Sequence, residues 1–216
     1  MKRLLLVALF FPSVIALGGL DLSPFPSEFE GEGVKYTRLT FKEDKRQVNY
    51  VMPLKWTYRG SPSQLRLTPP PAFERADAIV EVFPLLPAQP LDEKVAVALR
   101  QQFLSSPPPG AQEVKLVSEE ASPVLLNGNI QTWEFTMSYK VLGETFLRST
   151  LYANVPATEP NAAGMQLRFR LSALQKDFPS LQRSLRSSLI SWQWVEPTAS
   201  VAGARKDQSV AVNAPQ

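Results

Sequence analysis

Two stretches of strictly alternating apolar and polar residues limit this chain to a fold built around a β-sheet. From residue 133 to residue 141 the odd positions are all apolar and the even positions all polar, and residues 165–171 repeat the pattern. Because successive side chains of a strand point to opposite faces, each stretch predicts a strand with one apolar face. Residues 146–155 are apolar on both faces in part, which predicts a central strand covered on both sides.

Shorter alternating segments and turn signals predict that the strands pair with antiparallel neighbours. Further strands are expected at residues 34–42, 48–50, 56–58, 65–67, 78–83 and 114–116. The sequence Asn-Gly-Asn at residues 127–129 is a strong signal for a tight turn before the alternating strand at residue 133.

Two segments have the three-and-four spacing of amphipathic helices. Their apolar positions are Leu91, Val95, Ala98, Leu99 and Phe103 in the first, and Phe178, Leu181, Leu185, Leu189 and Trp192 in the second. Asp177 is expected to cap the second helix, with Pro179 in its first turn. The predicted fold class is therefore α+β: an antiparallel β-sheet of about six or more strands, with a mid-chain helix and a C-terminal helix packed on it.

The N-terminus has the pattern of a Sec-type signal peptide. Two basic residues precede an apolar run over residues 4–17, which is shorter than the roughly 20 residues that span a bilayer. Val14 and Ala16 are small residues at the positions that favour cleavage, so we expect residues 1–16 to be removed and the protein to be periplasmic or secreted. Cleavage slightly later, a retained anchor and a buried first helix are the alternatives.

The rest of the chain is predicted to form one domain with extended ends. Residues 17–33 are rich in Ser, Pro, Gly and Glu, and we expect them to be a mobile, extended lead-in. Residues 34–195 are expected to form a single α+β domain, since 44% of the chain is hydrophobic and supports a sizeable core. Residues 196–216 show no hydrophobic periodicity, which predicts a disordered tail.

The chain contains neither cysteine nor histidine, and this excludes most hydrolase chemistry. Without cysteine there is no disulfide, no thiol nucleophile and no lipoprotein anchor. Without histidine the usual base near neutral pH, the usual zinc ligand and the Ser-His-Asp arrangement are missing. Carboxylate pairs, a Ser-Lys arrangement and an oxygen-only calcium or magnesium site remain, but Ser105, Ser106 and Lys176 lack a recognisable catalytic spacing. We expect no enzymatic activity, no cofactor and no metal.

Three glutamates, Glu113, Glu119 and Glu120, are candidates for acid–base work or for calcium binding, because hard cations prefer several oxygen ligands. Adjacent residues of a strand face opposite sides of the sheet, however. The favoured interpretation is therefore an ordinary solvated surface.

Basic residues define a second candidate site. Lys140, Arg168 and Arg170 occupy polar positions of the alternating strands and are candidates for a basic face that holds an anionic ligand. Solvent-facing strand charge, or side-chain stems that cover a flanking helix, is the favoured interpretation. The net charge is +3, of which the two N-terminal basic residues supply two, so we expect no nucleic-acid binding and no membrane insertion after signal cleavage.

Aromatic residues suggest two further contacts. Trp194 falls outside the apolar stripe that includes Trp192, so it is a candidate partner contact, although packing against the sheet edge is the favoured interpretation. Phe135, Tyr139 and Phe169 are candidates to line a ligand pocket between sheet and helix.

One local motif resembles a known superfamily. Residues 49–53, Asn-Tyr-Val-Met-Pro, are followed closely by Trp56, and then by short strands, a mid-chain helix, a long hairpin and a terminal helix that begins near Phe178. This order is similar to that of the Mog1/PsbP-like α/β/α sandwich superfamily over residues 34–194. The resemblance implies a binding or assembly module, because members serve Ran binding, photosystem assembly or exported roles. It identifies no contact residue here, so no binding site is assigned.

Three functions are consistent with these observations. The leading hypothesis is an exported, non-catalytic binding or assembly module whose partner is another exported or envelope protein. The second is a carrier of a small apolar or amphipathic ligand, and the third is a carboxylate-dependent enzyme. A deep apolar cavity would favour the carrier, a filled core with an exposed aromatic patch would favour the module, and clustered acids with raised pKa values would favour the enzyme.

Overall fold

The computed structural model describes residues 19–43, 46–85, 87–122, 130–156 and 164–195. The predicted signal peptide, C-terminal tail and Asn-Gly-Asn turn lie outside these residues. Within them, no helix combines the length and the apolar character needed to cross a membrane.

The described residues form eleven strands, two α-helices and one short 3-10 helix, which confirms the predicted α+β class. In chain order they are β1 (Asp21–Gly31), β2 (Val34–Glu43), β3 (Arg46–Val51), β4 (Thr57–Ser61), β5 (Gln64–Thr68), the 3-10 helix (Pro71–Phe73), β6 (Asp77–Leu85), α1 (Glu93–Ser105), β7 (Gln112–Ser122), β8 (Thr132–Val141), β9 (Glu144–Val155), β10 (Gly164–Leu174), α2 (Phe178–Leu189) and β11 (Gln193–Val195).

The strands form two sheets, although the sequence predicted only one. The large sheet has seven strands in the order β4-β5-β6-β10-β9-β8-β7, and the small sheet has four in the order β1-β2-β3-β11. All of these strand pairs are antiparallel. The small sheet and α2 cover one face of the large sheet, and α1 covers part of the other face.

The central strand β9 is buried on both sides, as its composition predicted. Leu151 and Ala153 face the core shared with the small sheet and α2, whereas Phe146 and Tyr152 face the core under α1. Burial of apolar side chains on both faces stabilises the middle of the sheet, at about 25 cal/mol per Å² of apolar surface removed from water.

The expected mobile lead-in is instead part of the fold. Residues 21–31 form β1, which pairs with β2, and Leu20 and Leu22 are buried in the core between the sheets. Pro24 and Pro26 obscured this strand in the sequence, but proline is tolerated in a strand at the edge of a sheet. Residues 21–31 therefore belong to the folded region that was expected to begin at residue 34.

The helix ends differ in how they are capped. Asp177 precedes α2 as predicted, but its side chain makes no capping hydrogen bond and its backbone is already helical. A side-chain cap is present instead at α1, where the Asp92 carboxylate accepts a hydrogen bond from the Val95 backbone N–H at 2.9 Å. This bond satisfies one of the free N–H groups at the start of the helix.

Candidate functional site

The three candidate glutamates do not form one site, because each pairs with a different basic residue. Glu119 accepts from Arg100 on α1 at 2.9 Å, Glu120 from Arg186 on α2 at 2.7 Å, and Glu113 from Lys140 at 2.9 Å. Glu119 and Glu120 therefore face opposite sides of the sheet, as adjacent strand residues must. Across the described ranges, no group of three or more acidic residues is placed to hold a metal ion.

The predicted basic face is divided between the two sides of the large sheet. Lys140 lies on the α2 side of the sheet. Arg168 and Arg170 lie on the α1 side, where their cross-strand partners on β9 are Tyr152 and Thr150, respectively. The three residues therefore do not form one basic face, because β8 and β10 place their polar positions on opposite sides.

A third arginine, Arg148 of β9, lies on the same side of the sheet as Arg168 and Arg170. Together Arg148, Arg168 and Arg170 line an open cavity of about 100 Å³ between the end of α1 and the sheet, which we call the arginine cleft. Its other lining residues are Glu81, Gln102, Phe103, Ser106, Thr150 and Tyr152. Arg148 is the one charged residue of the sequence between Phe146 and Val155, and a charge within a predicted central strand is the signal that could have identified it.

Neighbouring side chains fix two of the three guanidinium groups. Arg168 Nε donates to Gln166 Oε1 at 2.7 Å, and its guanidinium lies 4.1 Å from the centre of the Phe83 ring. Arg148 donates from Nε to Ser172 Oγ and from Nη1 to the Ser106 carbonyl, both at 3.3 Å. Stacking and hydrogen bonding of this kind hold an arginine in one orientation.

The arginine cleft carries excess positive charge. Glu81 is its single acidic lining residue, and Glu81 Oε2 lies 3.7 Å from Arg170 Nη1. Burial lowers the pKa of Arg148, and the like charge of Arg170 lowers it further, while Asp77 acts in the opposite direction. Burial also raises the pKa of Tyr152, which keeps this phenol protonated.

The three aromatic residues proposed for a ligand pocket lie in two different cores. Phe135 and Tyr139 pack beneath α1, whereas Phe169 packs on the opposite side against Trp192. All three side chains are buried, and these candidates do not line one pocket.

A separate open cavity of about 390 Å³ lies at the end of β9, where the lining is mainly apolar. Pro90, Leu91, Ile130, Val155 and Pro156 contribute to this lining. A volume of this size falls in the range of small-molecule sites.

Trp194 packs against the protein, as the favoured interpretation predicted. It belongs to β11 and its Nε1 donates to Glu43 Oε2 at 3.1 Å, while Arg46 lies over its ring. Trp192 is fully buried between Phe41 and Phe169, and its Nε1 is the single buried side-chain polar atom without a hydrogen-bond partner in the described part of the chain.

The outer face of the small sheet exposes two phenylalanine rings, and a basic side chain lies over each of them. Phe25 is 54% exposed with the Lys42 ammonium 4.4 Å from its ring centre, and Phe29 is 37% exposed with the Arg38 guanidinium at 4.8 Å. Tyr36 stacks on Phe29 with a centroid distance of 5.4 Å. We call these five residues the aromatic face. The rings are exposed because nothing in the described chain packs over this side of β1 and β2.

Comparison with known proteins assigns no family: no protein-family profile and no curated protein matches the chain. Among solved structures, the chain is similar to LpqN, involved in cell envelope biogenesis of Mycobacterium tuberculosis. The identity is 15% and the TM-score 0.47, over 82% of this chain and 92% of LpqN. It is also similar to a Pseudomonas aeruginosa protein of unknown function, at 11% identity and a TM-score of 0.39, over 80% and 99% of the two chains. Neither is described as a Mog1 or PsbP protein, so that resemblance stays a prediction.

Proposed function

We propose that this chain is an exported, non-catalytic binding module that holds another exported protein against its aromatic face. The observation that carries the proposal is the pair of exposed phenylalanines, each of which has a basic side chain stacked on its ring. The filled cores around Phe135 and Phe169 also favour a module that binds at its surface.

The chemistry of the aromatic face indicates an acidic partner segment with some apolar side chains. Exposed aromatic rings on a rigid sheet provide interface area at low entropic cost, and such residues commonly anchor protein interfaces. Within the described ranges, neither Arg38 nor Lys42 is paired with a carboxylate, so both retain donors for acidic groups of a partner. Pro24 and Pro26 in β1 disfavour binding by strand addition at that edge, because proline has no N–H to donate.

Site-specific crosslinking in the native host tests this proposal. A photo-crosslinking amino acid replaces Ser27, which lies between Phe25 and Phe29 on β1, and the control position is Leu142, which is 94% exposed on a turn of the large sheet. We expect one discrete exported protein to crosslink at position 27 and not at position 142.

Charge reversal makes the result specific. Arg38→Glu should abolish the adduct, and replacing an acidic residue of the partner by arginine should restore it. Equal crosslinking at both positions, or an adduct that survives Arg38→Glu, would contradict the proposal.

Export is tested separately by N-terminal sequencing of the mature protein, which should begin at Leu17.

The apolar cavity at the end of β9 supports one alternative function, the carriage of a small apolar or amphipathic ligand. Asn154 supplies a polar group there, with its Nδ2 donating to the Gln89 carbonyl at 3.1 Å. Native mass spectrometry of protein purified from the exported fraction distinguishes the two functions. A bound small molecule that is lost on Ala88→Trp, a substitution at an exposed residue of the cavity lining, would favour the carrier.

A further inference from the structure

We propose that the arginine cleft binds one compact oxyanion, a carboxylate, phosphate or sulfate group, independently of the aromatic face. The two surfaces lie on different sheets, so one can be correct when the other is not. The ligand is either a free ion or the anionic group of a larger molecule.

The sheet places the three arginines near one another on one face, in the lining of one cavity. Arg168 and Arg170 are two residues apart on β10, and Arg148 of β9 is paired with Ser172, diagonally adjacent to Arg170. Same-face neighbours at these positions are separated by about 7 Å. Arginine side chains are long enough that all three can reach a ligand above Arg170, which lies between the other two.

Two of the three guanidinium groups are held in place by hydrogen bonds, and each of the three keeps unused donors. An arginine carries five N–H donors. The hydrogen bonds described above use one donor of Arg168 and two of Arg148, while Arg170, within the part of the chain that the structure describes, makes only the ion pair with Glu81 at 3.7 Å. Donors that are positioned before binding lose little entropy on binding, and charge-assisted hydrogen bonds to oxyanions are strong.

Charge and size both select a small anion. Three arginines and one glutamate line the cleft, so the repulsion among the arginine charges is only partly neutralised. Binding of a single negative group reduces this repulsion. The volume of about 100 Å³ corresponds to roughly three water molecules at about 30 Å³ each. One oxyanion group fits this space, whereas the body of a larger ligand must extend out of the open side.

Nuclear magnetic resonance of the arginine side chains tests the site directly. Titration of the purified protein with inorganic phosphate, with glycerol phosphate and with acetate should shift the Nε–Hε signals of Arg148, Arg168 and Arg170 together. Tighter binding of glycerol phosphate than of phosphate would assign the group to a larger ligand, and equal binding would assign it to a free ion.

Two substitutions with opposite expected effects make the test specific. Arg170→Gln should weaken phosphate binding about tenfold or more, because it removes a charged hydrogen-bonding group. Glu81→Gln should strengthen it, because it removes the competing carboxylate. Arg183→Gln, on the exposed side of α2, is the matched control for net charge and should have no effect.

The proposal is overturned if the three arginine signals do not move at millimolar anion concentrations in the unmodified protein. It is also overturned if Arg170→Gln and Arg183→Gln weaken binding equally, since binding would then follow the net charge alone. The titration of the unmodified protein decides the question even if a variant does not fold.

Discussion

Removal of either partner of the ion pair between Glu134 and Arg186 is expected to destabilise the fold, with the larger loss when the arginine is removed. The Glu134 side chain is 5% exposed beneath α2, whereas that of Arg186 is 32% exposed. Glu134 accepts from Gln182 Nε2 at 2.8 Å and from Arg186 Nε at 2.9 Å. Arg186 also donates from Nη2 to Glu120 at 2.7 Å.

The size of each loss depends on the charge that is left behind. Arg186→Ala leaves a buried carboxylate with one amide donor, and breaking a buried pair in this way costs about 3–5 kcal/mol. Glu134→Ala leaves a guanidinium that is partly exposed and still paired with Glu120, so the expected cost is about 1–2 kcal/mol. The double variant leaves no buried charge unpaired, so its cost should not exceed that of Arg186→Ala alone.

Urea unfolding followed by tryptophan fluorescence measures these free energies, provided that the m-value is the same in each variant. The exposed pair of Lys140 and Glu113, with side chains 43% and 55% exposed, is the matched control. Glu113→Ala should leave the unfolding midpoint unchanged. The reasoning is refuted if Glu134→Ala costs as much as Arg186→Ala, or if the two losses add in the double variant.

Three further outcomes are expected. Leu22→Ala should cost about 2–5 kcal/mol in urea unfolding because Leu22 is fully buried, while Phe25→Ala should cost little; equal losses would place β1 outside the core. Gly60→Ala should lower the unfolding midpoint, because a Cβ there would lie 2.5 Å from the Leu22 carbonyl oxygen; an unchanged midpoint would show that β1 and β4 can separate. Burial raises the pKa of Tyr50 more than its hydrogen bond with Ser188 lowers it. The folded-state pKa therefore exceeds the unfolded value of about 10, and stability should fall as the pH rises above that value, less so in Tyr50→Phe. The same alkaline loss in both proteins would contradict this assignment.

Periodicity predicted the elements of the fold better than their assembly. The alternation around Phe135 and Phe169 identified β8 and β10, and the spacing from Phe178 to Leu189 identified α2. The same alternation correctly placed Arg168 and Arg170 together on one face. It could not show that Lys140 lies on the other side of the sheet, because that depends on the register between β8, β9 and β10.

The second sheet was missed for a related reason. Strand β1 contains Pro24 and Pro26 and little hydrophobic alternation, so it resembles a linker until its partner β2 is known. The polar positions of β8 were similarly ambiguous. Glu134 occupies a polar position of the alternating pattern, which is typical of a solvent-exposed face, but in the fold it is buried beneath α2.

The sequence by itself determined both helices, most of the strand segments, the α+β class and the absence of thiol and imidazole chemistry, because these depend on composition and on neighbours a few residues apart. Tertiary structure decided which faces are covered. It brought Arg148 beside Arg168 and Arg170, left the rings of Phe25 and Phe29 in solvent, and separated the three candidate glutamates. These outcomes depend on strand order and register, which arise from contacts between segments far apart in the chain.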